Sequence, residues 1–152
     1  MKPGNRYMIP LGLAAVLLLP QLAVSDESED VIKYRQGVMK AIGGHMSASS
    51  LIVRGKVSYK PQLQEHANAL KILTSDIPAL FPDDSDFGET RAKAEVWGKR
   101  DDFVKAADVS KQSIADFLAA VEQGKPDAIA ASFQKVGDGC KGCHKDFREK
   151  DD

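Results

Sequence analysis

Residues 124–147 read GKPDAIAASFQKVGDGCKGCHKDF. Gly124-Lys125-Pro126 stops whatever helix precedes it, and Asp127 lies near the first turn of another. Beyond it Ile129, Phe133, Val136, Cys140, Cys143, His144 and Phe147 recur at three- and four-residue spacings, the period of a helix with one buried stripe. The same period runs upstream. Phe103, Ala107, Ser110, Ile114, Phe117 and Val121 predict a helix from about Val96 to Val121. Pro61 is placed to open an earlier one, with Leu63, Ala67, Leu70 and Leu73 or Ile77 on its face. The first segment carries Ile32, Arg35, Met39, Ile42, Met46, Ser49 and Val53, interrupted only by Gly43-Gly44. That glycine pair weakens a helix but admits a close neighbour to its backbone.

No stretch alternates in the manner of a strand, so the fold class is all-α: an antiparallel four-helix bundle with short links. One connection, from Pro78 to about Glu95, is long. A crossover with Phe81 and Trp97 packed at its ends accounts for it.

Composition narrows the function. The chain has 152 residues, 21 Lys+Arg against 22 Asp+Glu, and a net charge of -1. That balance excludes a general nucleic-acid binder, and 43% hydrophobic residues argue against disorder. Residues 1–25 hold a basic head at Lys2 and Arg6, an apolar run from Ile9 to Val24, and small residues at Ala23 and Ser25. This pattern predicts a secretory signal peptide cleaved after Ser25 and a bacterial periplasmic location. The domain is then 26–152, the four-helix bundle.

Two cysteines are too few for a disulfide scaffold, but Cys140-Lys141-Gly142-Cys143-His144 is C-x-x-C-H, the attachment pattern of haem c. On a helix these three side chains share one face. Two thiols there can add to the vinyl groups of one porphyrin edge while the imidazole reaches the iron. Chance would supply the pattern in roughly one such chain in a few thousand. A thioredoxin-like pair would sit beside a strand-helix unit, and zinc would need about four ligands with only His45 and His66 to spare. The implied cofactor is one covalently attached haem c with its iron.

With the motif on the last of four helices, the chain resembles the cytochrome c-prime, or class II c-type cytochrome, family. The resemblance rests on Tyr34-Arg35-Gln36, Lys60-Pro61, Trp97, the Cys140–His144 motif and Asp146-Phe147-Arg148. It implies His144 as proximal iron ligand, Cys140 and Cys143 as thioether anchors, and Arg35 and Gln36 beside the haem propionates.

Function then turns on the sixth iron position. Only Met39 and Met46 are methionines beyond the signal, and about 10 Å of helix separates them, so one at most meets the iron. The resemblance picks Met39. Leu80-Phe81-Pro82-Asp83 looks more like the low-spin, methionine-ligated branch of that family. The expectation is a periplasmic single-electron carrier with His144 and Met39 as iron ligands, exchanging electrons with periplasmic or membrane-bound redox proteins. The alternative is a five-coordinate protein that binds nitric oxide or carbon monoxide beside an unligated Met39. An enzyme is not expected; His45 is the only weak candidate for peroxidase-like acid-base work. Lys141, Lys145, Arg148 and Lys150 read either as a docking patch or as cations favoured at a helix C-terminus. Monomer and homodimer are both compatible with the sequence.

Overall fold

The computed structural model describes residues 24–150. Five α-helices follow in order: α1 (Val24–Val53), α2 (Gln62–Leu73), the one-turn α3 (Glu95–Gly98), α4 (Arg100–Gln123) and α5 (Pro126–Phe147). A 3-10 turn, Pro78–Leu80, follows α2. The four long helices form a closed ring of neighbours: α1 packs on α2 and α5, while α4 packs on α2 and α5. This is the four-helix bundle that the periodicity predicts, and no strand occurs among the described residues.

The expected stripes are the buried ones. Ile32, Arg35, Ile42 and Ser49 of α1 are buried, as are Leu63, Ala67 and Leu70 of α2 and Phe103, Ala107, Ile114 and Phe117 of α4. Gly124 ends α4 in the left-handed region, at φ 68°, where glycine alone carries no Cβ penalty. Pro126 then takes the first turn of α5, where its missing N–H costs nothing.

Two boundaries differ from the periodic reading. The third long helix begins at Arg100, because Lys99 leaves helical geometry at φ -125°, ψ 50° and separates Glu95–Gly98 as its own turn. Gly43 and Gly44 neither break α1 nor admit a neighbour: a Cβ on either meets nothing within 4 Å. The close approach is at Gly139 of α5, where a Cβ would stand 3.4 Å from Ser110 Cα and from the Ser110 and Ser113 hydroxyls of α4. A one-residue signal of this kind has no period to announce it.

The crossover between α2 and α3 is ordered by aromatic rings and main-chain bonds. Phe81 stacks edge-on with Trp97 at 6.1 Å and Phe103 at 5.1 Å, and Phe103 meets Phe147 at 5.2 Å. Trp97 Nε1 donates to the Pro82 carbonyl at 2.8 Å. At its far end, an antiparallel bridge pairs Ala92 with Arg148 just past α5. There the Lys93 amide donates to Phe147 O and the Glu149 amide to Arg91 O.

The expected signal peptide falls on residues 1–25, nearly all of it outside the described residues; α1 starts at Val24, two residues before the expected cut. Among the described residues no helix is long and apolar enough to cross a membrane.

Candidate functional site

Between α1, the crossover and the C-terminal end of α5 lies a cavity of about 450 Å³. Helix α1 contributes Arg35, Gln36, Met39 and Lys40, and the crossover contributes Ile77, Phe81 and Thr90 to Ala92. Val96, Phe103, Cys143, His144, Phe147 and Arg148 complete the wall. Cys143 and His144 therefore border the same space as Met39, Arg35 and Gln36, which the sequence separates by about a hundred positions. Cys140, one turn earlier on α5, is half-buried against the core.

Neither cysteine is in a disulfide. Burial pushes the Cys143 thiol up to about 11, helped by the neighbouring Cys140 and Asp146, and burial also raises Cys140. His144 moves the other way. Burial, then the charges of Arg148 and Arg91, hold its pKa below the ordinary imidazole value, so the ring is kept neutral with a free lone pair. Neutral imidazole is the form that ligates a metal.

Every charged residue of the cavity wall is a cation: Arg35, Lys40, Arg91 and Arg148, with no Asp or Glu among them. Apolar walls, two protonated thiols one turn apart, a neutral imidazole and a cationic rim suit a flat apolar macrocycle that carries two carboxylates. Haem c has that chemistry.

Arg35 is 3% exposed, far from a solvated surface cation. Its Nη1 donates to Ser85 Oγ at 2.7 Å, and its Nη2 donates to Ser85 O at 2.9 Å and to Thr90 Oγ1 at 2.7 Å. The guanidinium also lies over Phe81, 4.7 Å from the ring centroid, and 5.7 Å from that of Trp97. Gln36 Nε2 donates to the Glu89 carbonyl at 2.7 Å. Both residues thus line the cavity and tie down the crossover that roofs it. No sequence signal marks these crossover partners, which lie fifty or more positions away.

Met46 packs against the core and is absent from the cavity wall. His45 is absent too: its Nδ1 stands 3.0 Å from Nδ1 of His66 on α2. His66 is accordingly half-buried and partnered. Lys141, Lys145 and Lys150 are exposed, and Lys93 Nζ donates to the Lys145 carbonyl.

A profile of the family described as Cytochrome C' matches residues 30–148. Cytochrome c' of Pararhodospirillum photometricum is 36% identical over 126 residues, covering 80% of this chain and 98% of that protein. Among solved structures, a nitric oxide complex of a variant cytochrome c prime from Alcaligenes xylosoxidans matches with a TM-score of 0.75 at 29% identity. A carbon monoxide-bound variant of the same protein matches equally, at 0.75 and 29%. Each match covers 81% of this chain and 97% of the other.

Proposed function

The chain belongs to the cytochrome c' family and carries one covalently attached haem c, and from that premise we propose that it binds nitric oxide or carbon monoxide at the iron face opposite His144. Cys140 and Cys143 would hold the cofactor in thioether links, and His144 would be its iron ligand. When bound, the haem supplies an iron that exchanges one electron and takes a diatomic ligand.

The residues divide the remaining work. Burial and the flanking arginines keep His144 unprotonated for the iron. Phe81, Phe103 and Phe147 exclude water from the cavity, and the cationic rim faces the carboxylates. The similarity to nitric oxide- and carbon monoxide-bound structures carries the reading, and apart from His144 no histidine among the described residues lines the wall, His45 being engaged with His66. No imidazole of the wall competes for the open face.

Met39 sustains a second reading, since it is the one methionine of the cavity wall. With its thioether on the iron, the protein would carry single electrons between periplasmic or membrane-bound redox proteins. The exposed lysines 141, 145 and 150 would then steer an acidic partner. Binding, rather than turnover of a substrate, is proposed in both cases, and the bacterial periplasm is the proposed location.

Absorption spectra and gas-binding kinetics separate the readings. The first expects high-spin ferric bands, and ferrous gas binding whose rate rises linearly with gas concentration and is little changed in Met39→Ala. A sulfur-to-iron charge-transfer band lost in Met39→Ala, with a saturating binding rate in the wild type, overturns it in favour of the second.

A further inference from the structure

Outside the cavity, the packing of α1 on α2 brings together two side chains twenty-one positions apart, His45 and His66. Their Nδ1 atoms are 3.0 Å apart, with ring centroids at 5.2 Å and planes inclined by 59°. We propose that this pair is a binding site for a divalent transition-metal ion of the imidazole-preferring class, Cu²⁺ foremost.

Two facing ring nitrogens can share one proton or one metal ion. Rings that pivot about their facing nitrogens keep the 3.0 Å separation, and two nitrogens each 2.0–2.1 Å from a common ion then subtend about 94° at it. This is close to the right angle of a tetragonal site and narrower than the tetrahedral angle of about 109° that zinc prefers. The affinity order of divalent ions on nitrogen ligands also puts Cu²⁺ first. Each ring binds as the neutral tautomer with its proton on Nε2, so the site takes the metal without losing a proton from the neutral pair.

The surroundings leave room for this. The rings now meet almost head-on, as sharing a proton requires, and a metal needs them to swing until the lone pairs converge. Both residues are only half-buried, so neither ring is enclosed on all sides. No third His, Cys, Asp or Glu joins the pair among the described residues, so water fills the other positions. Ser49, one turn beyond His45 on the same face of α1, holds a buried hydroxyl with no partner.

The test is a Cu²⁺ titration of the haem-loaded protein, in which Cys140, Cys143 and His144 are already engaged. Equilibrium dialysis is expected to show one Cu²⁺ per chain, and electron paramagnetic resonance a tetragonal centre with two nitrogen ligands. His45→Gln and His66→Gln should each weaken binding by at least about tenfold, the minimum seen even for changes outside the ligand set. An unchanged haem spectrum and helical circular dichroism in each variant show that the bundle is intact. Zn²⁺ is expected to bind more weakly than Cu²⁺. Binding that survives either substitution, a centre with fewer than two nitrogens, no Cu²⁺ retained at micromolar concentration, or a preference for Zn²⁺ overturns the proposal.

Discussion

Replacing Arg35 by lysine keeps the charge and removes the fork. The guanidinium makes three hydrogen bonds of 2.7–2.9 Å to Ser85 and Thr90 and lies over the rings of Phe81 and Trp97. A bond from a charged donor contributes about 1.5–3 kcal/mol, and a cation over an aromatic face about 0.5–1 kcal/mol. A lysine ammonium is a point donor that reaches one of the three acceptors and cannot stack. Burial opposes the gain, since it holds the pKa of Arg35 below the ordinary value. Lysine does not escape that penalty, because an ammonium is the more strongly hydrated cation. With two bonds lost and one retained, the expected loss for Arg35→Lys is about 3–6 kcal/mol. Urea unfolding of the haem-loaded protein, followed by circular dichroism, reads the total. Hydrogen exchange at the amides of residues 85–90 reads its location, and protection there should fall first. A loss below about 0.5 kcal/mol, or crossover protection equal to the wild type, would refute the view that Arg35 is the crossover's anchor.

Ser49→Ala should stabilise the protein by about 0.5–1.5 kcal/mol, because it deletes a buried hydroxyl that has no partner; a lower melting temperature would contradict this. Gly139→Ala should stay within about 1 kcal/mol of the wild type, since its Cβ meets Ser110 and Ser113 at ordinary contact and helix propensity offsets the crowding. Gly139→Val should cost about 2–3 kcal/mol by forcing α4 and α5 apart, and equal melting temperatures for the two variants would exclude close packing there. In the haem-free chain, Cys143 should alkylate at pH 8 about tenfold more slowly in buffer than in denaturant. Folding raises its pKa from 9.0 to about 11, which cuts thiolate about a hundredfold, while the more basic thiolate recovers about a factor of ten in nucleophilicity. The unfolded chain ionises first, so that chain loses stability as pH rises from 9.0 to about 11. A rate unaffected by denaturant would show the thiol to be unburied.

The bundle was legible because its information is local. Ile32 through Val53, Leu63 through Leu70 and Phe103 through Val121 each repeat at the helical period, and Gly124 with Pro126 punctuates a joint that needs both residue types. The attachment motif was legible for the same reason, its three reactive side chains falling within five positions. What escaped is the pairing of distant residues. Arg35 with Ser85 and Thr90, Gln36 with Glu89, and Ala92 with Arg148 are settled only when the helices have packed. Glycine misled in both directions: the conspicuous pair at 43 and 44 touches nothing, and the lone Gly139 lets α4 and α5 approach. His45 and His66 carry no periodic signal at all, and their meeting follows from the register of α1 on α2.

The short bridge between residues 91–93 and 147–149 also bears on the order of assembly. It is a clasp between residues 56 positions apart, Ala92 and Arg148, and contacts of such long range form late because the chain entropy is surrendered before any reward arrives. One half of the clasp follows the attachment motif directly, within five residues of His144. Its residues Arg91, Ala92, Phe147 and Arg148 are also wall residues of the cavity, so the cavity is complete on that side only once the clasp has set.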